Sequence, residues 1–424
     1  MKLFQQMLVA GASLSLLAPV AAQASDVVNL EEMNSYARSR TKSSRLDSKT
    51  FINEVSEDIA KLKGRVDGLE VKQKQFEAGG FSDTTVMDQK VVFDLGAIDL
   101  SETDGSDEAA KFAYSYRANL NTSFTGDDNL YIRLKTGNAT DWQKAYTFGT
   151  YLSSSKGNSD EVKVDKIWYS FAAGNNTFWV GPQIENYYMH GTTPSIYKPV
   201  LKQFTLGGNG AAYGASTSPG LGWAYKADNG FAISSNFTTK NGDTSTGILT
   251  REGDTSWATQ IGYTQPTYSA SIILNQKYNG WEDSYYTTPL GKARSSEADS
   301  SNIGLRGWWR PDDSGTAVPS ISLGYDTSSV DGQDQDTDAY FVGLTWQDAF
   351  TPDDRIGLAF GQPQTRSDET VDPFAWELYY SYKMNDSVSV TPAIFGSSDR
   401  NGRTDDADKE ENVLGAVVET TFKF

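Results

Sequence analysis

His190 is the sole histidine among 424 residues, and there is no cysteine. Those two facts close off most of the chemistry by which side chains make or break bonds. A zinc centre needs several ligands at fixed spacing, and His190 has no Glu-x-x-His neighbour. A serine hydrolase would have to recruit His190 as its base, with a nucleophile on a neighbouring strand. No phosphate-cradling or dinucleotide loop is present, because the glycines fall at hairpins and strand ends. Without cysteine there is no disulfide framework, thiolate site or lipid-modified cysteine anchor. The acid pairs Asp127-Asp128, Asp312-Asp313, Asp353-Asp354 and Asp405-Asp406 could ligate Ca²⁺, but in tight turns such acids ordinarily accept backbone N–H groups. No enzyme, cofactor or metal is expected.

What the charged residues can do is filter. Lys and Arg number 37 against 55 Asp and Glu, a formal charge of −18 that argues against a nucleic-acid partner. The two signs are segregated. Arg117, Arg133, Lys135, Lys166 and Arg306 fall in phase with the polar face of alternating segments, whereas most acids lie in loops such as 99–108, 326–338 and 405–411. An acidic vestibule over a basic wall would gather cations at the mouth and admit anions at the neck. On that reading Arg117 and Arg133 lower cation permeability. The longest connection, 185–220, carries Glu185, His190, Lys198 and Lys202, expected to face water, and Tyr187, Tyr188, Tyr197 and Phe204, expected to anchor it to a wall. An ordinary surface loop is the plainer alternative.

The elements that must position these groups are strands. From Lys111 to Phe124 the residues Phe112, Tyr114, Tyr116, Ala118, Leu120, Thr122 and Phe124 share one face, and Lys111, Ser115, Arg117, Asn119, Asn121 and Ser123 the other. The same two-residue rhythm recurs at Leu130/Ile132/Leu134, Ile167/Tyr169/Phe171, Trp257/Thr259/Ile261/Tyr263 and Ile321/Leu323/Tyr325. It continues at Tyr340/Val342/Leu344/Trp346, Ile356/Leu358/Phe360 and Trp376/Leu378/Tyr380/Tyr382. Seven short turns are expected at 126–129, 174–176, 227–230, 265–267, 310–317, 348–354 and 385–387. Eight long loops are expected at 101–110, 137–161, 185–220, 240–254, 277–300, 326–338, 362–374 and 397–411. Together they separate about sixteen strands, the even number a closed antiparallel barrel requires.

A closed sheet satisfies its own backbone and can therefore sit in lipid. Apolar faces ending in Tyr, Trp and Phe suit the membrane and its two interfaces, and small polar faces suit an aqueous bore too wide for side chains to fill. The expected architecture is all-β: a transmembrane barrel of about sixteen antiparallel strands over 85–424. Its last strand alternates through Leu414, Ala416, Val418, Thr420 and Phe422 to Phe424, and Phe422 with the terminal Phe424 forms an expected barrel-assembly signal.

The chain before the barrel reads differently. Lys2, the apolar stretch Met7 to Leu17 and Ala22-Gln23-Ala24 form an expected signal peptide over 1–24. Residues 25–50 form a polar linker whose Arg38, Arg40, Lys42, Arg45 and Lys49 are either simply solvated or in contact with an anionic cell-wall polymer such as that on peptidoglycan. Over 51–78, Ile52, Val55, Ile59, Leu62, Val66 and Leu69 step by three and four, a heptad seam that predicts a short periplasmic coiled coil and hence an oligomer. Asp58 and Lys63, like Arg65 and Glu70, stand where neighbouring parallel helices pair opposite charges.

The block Leu62-Lys63-Gly64-Arg65-Val66-Asp67-Gly68-Leu69-Glu70, followed by Thr122-Ser123-Phe124-Thr125-Gly126-Asp127-Asp128 and Leu134-Lys135-Thr136-Gly137-Asn138, resembles the cyanobacterial outer-membrane porins. These are similar to the carbohydrate-selective porins and are often labelled iron-uptake porins. The resemblance implies a homotrimeric barrel embedded in outer-membrane lipid, passing small hydrophilic solutes and inorganic ions. Members of that family usually carry an S-layer-homology domain before the coiled coil, and 25–50 is too short to be one. The competing reading is a non-conducting outer-membrane barrel whose long loops act as a receptor or adhesin.

Overall fold

The computed structural model describes residues 84–100, 109–144, 149–213, 217–282, 286–293, 295–399, 402 and 412–424. The expected signal peptide, basic linker and coiled coil (Ile52, Val55, Ile59, Leu62, Val66, Leu69) lie outside the described residues. Within them, sixteen strands follow in chain order: β1 (Thr85–Leu100), β2 (Lys111–Thr122), β3 (Asp128–Gly137), β4 (Lys163–Ala173), β5 (Asn176–Ile184), β6 (Ser218–Lys226), β7 (Phe231–Thr239) and β8 (Thr255–Thr264). They continue as β9 (Tyr268–Tyr278), β10 (Ser300–Trp309), β11 (Ser320–Val330), β12 (Thr337–Gln347), β13 (Arg355–Arg366), β14 (Phe374–Lys383), β15 (Val388–Ser398) and β16 (Val413–Lys423). Each pairs with its sequence neighbours, and β1 pairs with β16, so the sheet is a closed barrel. The closing seam is antiparallel and runs in register from Lys90 opposite Lys423 to Leu100 opposite Val413.

Burial along the strands is inverted relative to a water-soluble protein. In β10, Ile303 and Leu305 are 41% and 47% exposed while the alternate Ser300 and Asn302 are 3% and 1% exposed. Apolar residues outside and polar ones inside are what a wall between lipid and water demands. Aromatic side chains stand outward toward both rims: Tyr263, Tyr268 and Trp309 at the short-turn end, Phe112 and Phe374 at the other. At the seam Phe422 packs edge-on to Phe93 at 5.3 Å, and the backbone of Phe424 exchanges hydrogen bonds with Gln89.

Two of the short turns are built by acids noted above. Asp128 accepts from the backbone N–H of Phe124 (2.9 Å) and Thr125 (2.8 Å), and Asp354 from those of Ala349 (2.7 Å), Phe350 (3.0 Å) and Thr351 (2.8 Å). Turn capping, with no need of Ca²⁺, accounts for both. The expected loop 362–374 is shorter than its polar run suggests, since β13 extends to Arg366, and a second boundary differs more. The polar run 326–338 looks like a loop, yet β11 extends to Val330 and β12 starts at Thr337. The reason is that Asp326 and Ser328 point inward, where polarity belongs to the bore rather than to a loop.

Asp354→Ala should weaken the β12–β13 turn by about 1–3 kcal/mol, since three N–H groups and the Tyr380 hydroxyl lose their acceptor. The check is the urea midpoint of the refolded barrel in detergent micelles. An unchanged midpoint would mean water replaces the carboxylate at no cost.

Candidate pore constriction

The connection from β5 to β6 does not stay at the rim. It enters the barrel and runs along the inner wall, held strand by strand. Gly191 N–H donates to Ser234 on β7 (3.2 Å), Thr192 N–H to Gln260 on β8 (2.9 Å) and Ile196 N–H to Ser322 on β11 (3.2 Å). Trp308 on β10 donates to the Thr193 carbonyl (3.1 Å), and Ala211 N–H donates to Gln364 on β13 (2.7 Å). The tightest hold is at Glu377 on β14. This fully buried carboxylate accepts from the Tyr197 hydroxyl (2.8 Å), Val200 N–H (3.1 Å) and Leu201 N–H (2.7 Å).

A second loop reinforces the first. Between β3 and β4, Ser153 N–H donates to the Val200 carbonyl (2.6 Å), and Lys202 N–H donates back to Tyr151 (2.7 Å). Leu152 and Leu201 thus form a bridge of β type inside the bore. Behind it lies an apolar cluster in which Tyr197, Phe204 and Leu152 from the loops meet Phe341, Tyr379 and Phe395 from the wall. The Tyr197 ring sits 5.7 Å from that of Phe341, and Phe204 lies 5.8 Å from it. Tyr197 and Phe204 therefore do anchor the loop, as their type suggested. Tyr188 stacks obliquely on Trp168 at 4.8 Å and accepts from Arg133 at 3.3 Å, and Tyr187 donates to Glu185.

The charged residues divide into paired and unpaired sets. Arg133 bonds Asp165 through Nε at 2.7 Å, with Lys156 on the other carboxylate oxygen at 3.3 Å. Lys166 pairs with Glu185 and is almost fully buried. Arg306, expected on the open wall, is 4% exposed: it pairs with Asp326 at 2.6 Å, lies over the Tyr213 ring at 4.5 Å and donates to the Leu206 carbonyl. The inner loop covers it. His190, expected to face water, is likewise buried, against Tyr213 and beside Asn236 (3.3 Å). Both corrections have one cause: a loop pressed to the wall turns one of its own faces inward and hides the wall beneath.

Burial pushes the His190 imidazole down to about 3, so the ring is neutral at ordinary pH. Burial pushes the Glu185 carboxyl up, but Lys166 and Lys202 outweigh it and hold the group below its ordinary value. Lys202 is pushed down by burial, against the pull of Glu185.

The unpaired set lies on the wall of β16 and β1 to β3, edged by Ser153, Ser154 and Pro199 of the two inner loops. Lys423 on β16 is opposite Lys90 on β1, Lys90 is opposite Arg117 on β2, and Arg117 is opposite Lys135 on β3. Among the described residues, Lys90, Arg117, Lys135 and Lys423 form no ion pair, and neither does Lys198, which is exposed on the loop. A basic ladder on one side and a loop strapped to the other define a charged neck. Lys90, Lys423 and Glu377 are missed by sequence reading, although all three stand in the inward phase of their strands.

A closed sixteen-stranded wall with lipid-type residues outside, a loop folded into its bore and a charged neck is the build of an outer-membrane pore. Comparison with known proteins agrees. Residues 44–424 match the family described as "Carbohydrate-selective porin, OprB family", and the chain belongs to it. An uncharacterized protein of Nostoc sp. is 26% identical over 423 residues, spanning 88% of this chain and 71% of its own, and one of Synechocystis sp. is 22% identical over 401, spanning 82% and 71%. Among solved structures, Pseudomonas putida OprB is similar in fold at a TM-score of 0.58 with 12% identity, over 84% of this chain and 97% of that one. The anion-selective porin of Comamonas acidovorans follows at 0.53 and 12%, over 80% and 99%. The protein is an outer-membrane diffusion channel.

Glu377→Ala should free the loop, because two buried N–H groups and a hydroxyl each lose an acceptor worth about 1–3 kcal/mol. Larger and noisier single-channel openings, with protease cleavage within 185–217, are the expected readouts. Unchanged openings would place the hold elsewhere. His190 supplies a pH dependence of known sign. Its folded value lies below the ordinary 6.5, so the stabilisation it gives is complete above that pH and is lost as pH falls toward 3. Hydrogen-exchange protection of the loop should fall across that window in the native channel and stay flat in His190→Gln.

Proposed function

We propose that this porin passes small hydrophilic solutes and inorganic ions by diffusion and that its neck favours anions. The observation carrying this is the row Lys423, Lys90, Arg117 and Lys135, unpaired and facing the loop that bears Lys198. The acids Asp165, Glu185 and Asp326 are spent in pairs with Arg133, Lys166 and Arg306, and Asp94 and Glu419, further along the wall of β1 and β16, both accept from the Ser154 hydroxyl. Fixed positive charge lowers the energy of an anion in the neck and raises that of a cation. The chain's net −18 resides largely in loops and does not set this preference. Neutral sugars pass on size and hydrogen bonding alone, in keeping with the family's description.

The assembly reading is a homotrimer in outer-membrane lipid, exported by the signal peptide and joined on the periplasmic side by the coiled coil. Thr85 and Phe424 both emerge at the short-turn end of the barrel. The Vibrio cholerae porin OmpT in its trimer form, similar in fold at a TM-score of 0.51, supports the stoichiometry. Phe422 and Phe424 serve as the assembly signal, and the channel carries no catalysis.

A planar bilayer under a potassium chloride gradient tests the reading. Openings should come in threes, and the reversal potential should carry the sign of chloride preference. A single charge about 8 Å from the ion path is worth about 0.5 kcal/mol in water-like surroundings. Arg117→Gln should therefore lower the chloride-to-potassium permeability ratio about fivefold, about twofold from each ion. A native reversal potential of cation sign would overturn the proposal.

A further inference from the structure

Resting on that channel reading, we infer that the neck contains a discrete binding site for a small phosphate-type oxyanion, formed by Lys90, Arg117 and Lys135. The three side chains occupy one row on adjacent strands, Arg117 being directly opposite both lysines. Side chains so placed have Cβ atoms about 5 Å apart, and like charges at that separation destabilise a sheet. The neighbouring basic groups avoid this by pairing: Arg133 and Lys156 with Asp165, Lys166 with Glu185, Arg306 with Asp326. The three in the row do not. Arg117 further holds its Nε buried with no hydrogen-bond partner, a donor already desolvated and awaiting an acceptor.

The row opens onto a cavity of about 140 Å³, closed by Ser153, Ser154 and Pro199 from the two inner loops and by Glu419 from β16. A water occupies about 30 Å³ of liquid, so the space equals about five waters, room for a tetrahedral oxyanion with part of its hydration shell. A guanidinium presents a planar fork that matches phosphate oxygens, and two ammonium groups flank it as point charges. Chloride offers no such geometry. The lone carboxylate on the cavity, Glu419, already accepts from Ser154 at 2.5 Å and stands opposite Asp94. Its remaining oxygen suits the O–H of hydrogen phosphate or of a phosphate ester. The site thus takes a singly charged or hydroxyl-bearing phosphate, held transiently on its way through.

Inorganic phosphate and glycerol phosphate are the probes, titrated against the chloride current of the intact channel in bilayers. Both should reduce that current saturably, with half-block at millimolar concentration, and Arg117→Gln should raise the half-block concentration about tenfold or more. Lys135→Gln, a milder change, should shift it in the same direction and serves if the arginine variant does not refold. A chloride current that phosphate leaves untouched or changes only in linear proportion overturns the site while the channel reading stands. No current in any salt overturns the channel reading, and the site with it.

Discussion

The pairing of β1 with β16 is the constraint on which everything else depends. In hydrocarbon an unpaired N–H or C=O costs several kcal/mol, so a sheet survives there only with no free edge. Joining the first strand to the last removes both edges at once, from Lys90 opposite Lys423 to Leu100 opposite Val413. Closure by antiparallel neighbours requires an even strand count, puts both ends of the barrel at the same rim and gives every strand one face for lipid and one for the bore. The aromatic contact of Phe93 with Phe422 sits on the lipid side of that joint.

A barrel of this size cannot fill its own interior. The chain solves this with a loop of its own, and the solution has a chemical signature: large apolar residues in strand positions meant for water. Phe341, Tyr379 and Phe395 point inward and are covered by Tyr197, Phe204 and Leu152. Glu377 adds direction to this contact, since its two oxygens accept from two consecutive backbone N–H groups and a tyrosine hydroxyl. One side of the bore thereby becomes a packed core. On the other, Lys90, Arg117, Lys135 and Lys423 form no ion pair among the described residues.

The wall was legible in the sequence and the bore much less so. Period-two alternation from Phe112 to Leu120 or from Tyr340 to Trp346 reports burial against lipid directly, and the Asp- and Gly-rich turns punctuate it. Assignment of Arg117, Arg133, Lys135 and Lys166 to the inner face followed from phase alone. Phase does not say what covers a residue. Arg306 and Lys166 lie on the inner face yet are sealed beneath loop and ion pair, and His190 is buried against Tyr213. A linear sequence does not record which stretch of wall a loop of some thirty residues will lie against. The inward aromatics held the clue, since Phe341 interrupts a polar phase with a bulk that water does not favour.

The bridge between Leu152 and Leu201 couples two segments that leave the sheet at different places, one after β3 and one after β5. Because each lends the other backbone hydrogen bonds, neither can shift without breaking them or dragging its mate along. Each segment is consequently a handle on the other where the two meet inside the bore. A macromolecule that gripped either handle from outside the cell would strain the passage below without ever entering it.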